Sequence, residues 1–323
     1  MKPHLKDIRP GIGLISTVCI TLVTANLVSA QNYPNKPIRM VTTAPAGGSA
    51  LAARLIAPGL TTSLGQQVVV DSRGNVAAEI VAKSAPDGYT LLVYGSTVWL
   101  APLLSDMPYD PARDFTPVSL VSNSPNVLVV NPALGVKSVK ELIALARAKP
   151  GALNYGASGI GSSLHLAPEM FKAMAGVNIV HVNYKGSGQA LTDLIGGQVQ
   201  LMFPVGPSVV PHIKSGRLRA LAVTSAQPTP QFPDLPTVAA SGLPGYETVS
   251  RSGILAPAKT SMTIINRLHQ EIVRAMTNPD VRETFFNGGA DVVASTPAQF
   301  AAAIKSDMTR MGKVIKDAGI RAD

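Results

Sequence analysis

The stretch Ile38-Arg39-Met40-Val41-Thr42-Thr43-Ala44-Pro45-Ala46-Gly47-Gly48-Ser49-Ala50-Leu51 holds the pattern on which the fold turns. Residues 38–42 read as a strand, 44–49 as a Gly/Ser turn, and 51–64 as a helix that Pro58 is expected to kink. The same alternation continues with a short strand at 68–70, a helix at 76–84 and a buried strand at 90–94. Apolar runs separated by helical stretches predict βαβ units and a mainly parallel sheet flanked by helices.

Farther along, residues 118–130 hold two extended runs split by Ser122-Asn123-Ser124-Pro125. The alternation then restarts. Helices are predicted at 139–148, 164–174, 190–195 and 209–214, with strands at 153–155, 179–182, 199–203 and 218–223. A second Gly/Ser loop, Ser158-Gly159-Ile160-Gly161-Ser162-Ser163, stands between a strand and a helix, as the first loop does. Residues 227–244 carry Pro228, Pro230, Pro233, Pro236 and Pro244 and are expected to form no regular element. Three helices follow, at 262–276, 279–286 and 297–316, the last with Thr296 as N-cap. The 323 residues suit two domains rather than one core. The expected division is 31–123 with 226–323 in one α/β domain and 124–225 in the other, with crossovers near 122–126 and 225–230.

Residues 1–30 have another character. Lys2, Lys6 and Arg9 form a positive head, residues 11–28 are apolar apart from Ser, Thr and one Asn, and Val28-Ser29-Ala30 precedes Gln31. That order is a cleavable secretory signal peptide, and its Thr17, Thr21, Thr24 and Asn26 disfavour a membrane anchor. The single cysteine, Cys19, follows Val18 where a lipidation site wants a small residue. The remaining chain uses neither disulfides nor thiol chemistry.

The formal charge is +9, and removal of the first thirty residues leaves 25 Lys and Arg against 18 Asp and Glu, or +7. Such a surface favours anionic ligands at long range. Nucleic acid is not expected, because no run of Lys/Arg exceeds two and aromatics are only 5% of the chain.

The two Gly/Ser loops carry the candidate chemistry. In open α/β sheets ligands sit beyond the carboxyl ends of strands. There glycine permits close backbone approach, and the next helix aims free N–H groups and its positive end at an anion. Turning and capping alone would also explain either loop. No phosphate loop is present, Gly159-Ile160-Gly161 lacks the third glycine of a dinucleotide fingerprint, and no G-x-S-x-G surrounds a serine. His165, His181, His212 and His269 show no metal-ligand spacing, so no metal and no cofactor are expected. His165, on the first turn after the second loop, is either a packing residue or a donor to the pocket, and Glu169 lies one turn on.

The chain resembles the substrate-binding proteins of tripartite tricarboxylate transporters, the Bug or TctC family. The resemblance rests on Tyr33-Pro34-x-Lys36-Pro37-Ile38-Arg39, Pro45-x-Gly47-Gly48-Ser49, Ala85-Pro86-Asp87-Gly88-Tyr89-Thr90 and Tyr109-Asp110-Pro111. It continues through Tyr155-Gly156-x-Ser158-Gly159-x-Gly161-Ser162-x-x-His165, Tyr184-Lys185-Gly186-x-Gly188 and Gly216-Arg217-Leu218-Arg219. It implies a two-domain periplasmic solute-binding (Venus-flytrap, type II-like) fold that closes on a small organic anion without catalysis. It also implies a monomer serving a membrane permease or, in some members, a sensor kinase. Carried over, the family's ligand-holding loops fall on Ala46, Gly47, Gly48 and Ser49, on Ser96 and Thr97, and on Ser158, Gly161, Ser162 and Ser163, with His165 beside them.

Departures from the family pattern are Ala50 for an Asp, a short Arg73-Gly74-Asn75 loop, Phe203-Pro204 for Phe-Asp, and Arg251 for a Trp. Fewer acids and one more Arg predict a more positive cleft and a ligand without an amine, or with more negative charge, than that of amino-acid-binding relatives. A transport receptor, a sensor subunit, a drifted paralogue without ligand, and an enzyme using His165 all remain open on these residues.

Overall fold

The computed structural model describes residues 33–43, 48–158 and 161–320. The expected signal peptide lies outside them, as do Ala46 and Gly47 of the first loop and Gly159 and Ile160 of the second.

The chain builds one α/β lobe, crosses to a second, and returns. The first lobe begins with β1 (Ile38–Thr42), α1 (Gly48–Leu64), β2 (Val68–Ser72), α2 (Ala77–Ala82), β3 (Thr90–Gly95), α3 (Thr97–Leu100) and β4 (Phe115–Pro125). The second lobe holds β5 (Val127–Val130), α4 (Val139–Ala148), β6 (Asn154–Ser158), α5 (Ser163–Ala175) and β7 (Val180–Tyr184). It continues with α6 (Ser187–Ile195), β8 (Leu201–Met202), α7 (Gly206–Lys214) and β9 (Arg219–Val223). The return adds β10 (Val249–Pro257), α8 (Met262–Met276), α9 (Pro279–Asn287), β11 (Asp291–Val292) and α10 (Pro297–Ala318) to the first lobe.

The two sheets have the orders β11-β4-β10-β3-β1-β2 and β7-β6-β8-β5-β9. Strands joined through helices pair in parallel, as the alternation predicts: β1 with β2 and β3, and β6 with β7 and β8. The strands leading to and from the crossovers arrive from the other direction and pair antiparallel, β10 with β3 and β4, and β5 with β8 and β9. Both sheets are therefore mixed.

Two findings depart from the sequence expectation. Ser122-Asn123-Ser124-Pro125 is not a break but the end of β4, paired with Val249–Ser252 of β10, and only Asn126, bridged to Val205, separates it from β5. Residues 249–257 were not predicted as a strand, yet β10 sits in the middle of the sheet. Both stretches read as loop for a related reason: their serines face a cavity rather than a core, and Arg251 between two of them enters a buried ion pair.

Strand periodicity sets the layers. In β3, Leu91 and Val93 point to one face and pack with Ile56 and Leu60 of α1 and Ile265 and Leu268 of α8. Leu92 and Tyr94 point to the other, toward Trp99 of α3 and Phe300 of α10. That second layer runs on into the other lobe through Leu128, Tyr155 and Phe171, so the lobes share apolar packing at their back.

The crossovers are pinned side by side. The Thr224 hydroxyl accepts from the Asn126 N–H at 2.8 Å and donates to the Thr248 carbonyl at 2.7 Å. Asn126 Nδ2 donates to Phe203 O. All three of these polar residues are buried.

Gly253 lets β10 lie against Phe300. A Cβ there would stand 2.1 Å from Phe300 Cζ, and the Phe300 ring is fully buried and edge-on to Trp99 at 5.7 Å. Gly253→Ala is expected to lower stability by about 2 kcal/mol by overpacking. Denaturant unfolding measures it, and Phe300→Leu in the same chain is expected to recover much of the loss.

Candidate functional site

A cavity of about 460 Å³ lies between the sheets. From the first lobe come Thr43, Gly48, Ser49, Leu51 and Asn75, then Tyr94, Gly95, Ser96, Thr97, Ser122 and Ser124. The returning chain adds Ser250, Ser252, Phe285, Gly288 and Ala290, and the second lobe adds Ser162, Ser163, Leu164, Ser187 and Val205. Among the described residues no Asp, Glu, Lys, Arg or His lines it.

Helix ends supply the polarity that charged side chains do not. Gly48, Ser163 and Ser187 are the first residues of α1, α5 and α6, and Val205 is the N-cap of α7. None of these four helices has an acid in its first turn. No side chain caps α5, α6 or α7, and the Ser162 hydroxyl instead donates back to Ser158 O at 2.8 Å. Four other helices are capped by their own side chains, α4 by Ser138, α8 by Ser261, α9 by Asn278 and α10 by Thr296 in a capping box, while α2 opens from Val76 without one. First-turn amides lack an i−4 partner, so the starts of α5 and α6 leave donors facing the cavity, while α7, with Pro207 in its first turn and the Ser208 N–H on Val205 O, adds mainly its positive dipole end. The hydroxyls are held in place too. Ser49 Oγ lies 3.3 Å from Ser252 Oγ, and the Ser96 N–H donates to Arg251 O at 3.0 Å.

Of the residues singled out from sequence, Gly48, Ser49, Ser96, Thr97, Ser162 and Ser163 converge on this one cavity. Ala46 and Gly47 lie outside the described residues. Ser158 and Gly161 do not line it. Gly161 has a left-handed φ of 78°, and a Cβ there would meet Ala101 Cα at 2.9 Å, so it is the place where the second loop rests on the first lobe. His165 does not line the cavity either. It is 4% exposed, its Nδ1 faces the Gly161 N–H at 3.5 Å, and its ring packs on His181 at 5.2 Å.

The sequence did not single out Ser122, Ser124, Ser250 and Ser252, which belong to the paired ends of β4 and β10. Ser187 and Asn75 sit inside stretches quoted above, Tyr184-Lys185-Gly186-x-Gly188 and Arg73-Gly74-Asn75, and could have been found there.

Arg251 corrects the electrostatic expectation. It lies between two cavity-facing serines on β10 and itself points behind the cavity. Its guanidinium is 2.7 Å from Asp307 and 3.7 Å from Glu247, while Arg310 bridges the same two acids. The Trp99 Nε1–H donates to Asp307 at 3.2 Å. Burial pushes the Asp307 carboxyl above the usual carboxylate range, against the pull of Arg251, Trp99 and Arg310. The arginine charge is thus met locally and adds no free cation to the cleft.

Among the described residues no group of three His, Cys, Asp or Glu could hold a metal. Residues 52–320 match the family described as the tripartite tricarboxylate transporter family receptor, TctC. The chain belongs to the TctC family. The Bordetella pertussis protein BugT is 39% identical over 319 residues, 95% of this chain and 98% of that protein. A structure from R. palustris with adipate is 38% identical with a TM-score of 0.80, covering 90% of this chain and 99% of that one. MatC from Rhodopseudomonas palustris with bound malate is 28% identical with a TM-score of 0.77, covering 88% and 100%. TctC proteins are periplasmic binding proteins rather than enzymes, and the two-lobed α/β fold of this TctC chain is theirs.

Proposed function

We propose that this chain captures a small organic carboxylate in the periplasm and presents it to the membrane permease of a tripartite tricarboxylate-type transporter. The observation that carries the proposal is the cavity between the lobes, faced by the first turn of α1 from one and by the uncapped starts of α5, α6 and α7 from the other, and lined among the described residues with hydroxyls instead of charges. Each charge-assisted hydrogen bond to a carboxylate contributes about 1.5–3 kcal/mol, and each helix end about 0.3–2 kcal/mol. Adipate and malate in the related structures support the ligand class. The signal-peptide pattern over residues 1–30 supports export.

The ligand contacts fall to Gly48, Ser49, Ser96 and Thr97 on one side and Ser162 and Ser163 on the other. Closure turns about Asn126, Thr224 and Thr248, with the second lobe moving against the first.

With no acid among the described residues that line the cavity, an ammonium group finds no counter-charge from them. Titration calorimetry with succinate, citrate, malate, adipate and glutamate is therefore expected to give binding to the amine-free acids and weaker or no binding to glutamate. A ligand at 100 times its Kd raises stability by about 2.7 kcal/mol, so thermal shift gives the same ranking. Glutamate ranking first, or no carboxylate binding at all, overturns the proposal.

A further inference from the structure

We infer that the cavity selects carboxylates with a bare hydrocarbon body over short hydroxylated acids, and that Leu51 sets this preference. The inference rests on the carboxylate-receptor proposal above and narrows its ligand class.

The cavity is divided by depth. Ser49, Ser96 and Ser122 are 4–7% exposed and form its floor at the carboxyl ends of the strands. Leu51, in the first turn of α1, is 37% exposed and stands at its rim. Of the other large aliphatic side chains of α1, Ile56, Leu60 and Leu64 lie in the core and Leu55 is partly buried against it. Leu51 instead leans toward α9, its Cδ2 lying 3.9 Å from where a Cβ on Gly288 would be, next to the cavity-lining Phe285. Across the cavity the second lobe presents Leu164 and Val205.

A carboxylate seated on the floor leaves the rest of its ligand between these side chains. A ring or methylene chain there removes the exposed Leu51 surface from water as well as its own. A hydroxyl placed against Leu51, Leu164 and Val205, rather than against the neighbouring Ser163 and Ser187, meets carbon and loses its water without replacement. At about 460 Å³ the cavity falls within the roughly 300–1,000 Å³ of pockets that enclose a sizeable organic ligand.

The test is a homologous series. Succinate, glutarate, adipate and suberate are titrated calorimetrically into the full mature chain, with malate and citrate beside them. Affinity is expected to rise up to about four-fold per added methylene while the chain still fits. Malate and citrate are expected to bind more weakly than adipate. Leu51→Ser is expected to flatten the dependence on chain length, and Leu51→Met to restore it. Equal affinity along the series, tighter binding of malate than adipate, or an unchanged slope in Leu51→Ser overturns this inference and leaves the receptor proposal standing. Failure of every carboxylate to bind overturns both.

Discussion

Ser163→Asp is expected to lower carboxylate affinity by about a thousand-fold while leaving the melting temperature at or slightly above that of the unmodified protein. Ser163 is the first residue of α5, half-buried and facing the cavity. An added carboxylate there stands within a few ångströms of a bound anion. At about 4 Å and an effective dielectric of about 20 the repulsion is about 4 kcal/mol, which converts to about three decades in Kd. The same carboxylate sits at the positive end of α5 and stabilises the helix by about 0.3–1 kcal/mol. Binding and stability thus move in opposite directions, a split that general damage to the fold does not produce. Calorimetry with the best ligand, beside differential scanning calorimetry of the free protein, reads both. Retention of affinity within ten-fold places the anion elsewhere.

Arg251→Met is expected to cost about 3 kcal/mol near neutral pH and markedly less in acid. The side chain is 15% exposed and Asp307 only 4%. Removing one member of a buried pair leaves an uncompensated charge and costs about 3–5 kcal/mol. The lower figure applies because Arg310 remains near Asp307 at 3.4 Å. Burial already holds the Asp307 carboxyl above its ordinary range, and loss of Arg251 raises it further. A carboxyl whose folded value exceeds its unfolded one favours the fold while protonated. That contribution is lost as pH rises through the folded value. The penalty is therefore smallest near about pH 4 and largest near about pH 8. Urea unfolding across that range measures it. A penalty that does not change with pH, or one below about 1 kcal/mol, contradicts the buried network as described.

Much of the fold was legible because it rests on local pattern. The strand at 38–42, the helix after it, the buried strand at 90–94 and the three C-terminal helices each carry a periodicity that a single segment expresses by itself. Thr296 was expected as an N-cap and closes a capping box with Gln299. β10 was not legible. Val249-Ser250-Arg251-Ser252-Gly253 offers no apolar run, since Ser250 and Ser252 face the cavity, Arg251 a buried ion pair, and Gly253 the ring of Phe300. Its place between β3 and β4 comes from partners far away in the chain.

The candidate site divides likewise. The two Gly/Ser loops were visible because close backbone approach requires glycine and turning at a helix start favours serine, which are demands of the local chain. That the loops face one cavity, and that His165 turns into its own lobe, depends on how one sheet is set against the other.

From its sequence alone, this protein is an alternating α/β chain with two helix-opening glycine loops and the motifs of the TctC receptors. Only the tertiary structure decided that four serines on β4 and β10 line the cavity and that Arg251 places its charge on Asp307 and Glu247. The physical reason is range. Periodicity and turn chemistry act over a few residues, whereas burial and ion pairing depend on which distant segments meet.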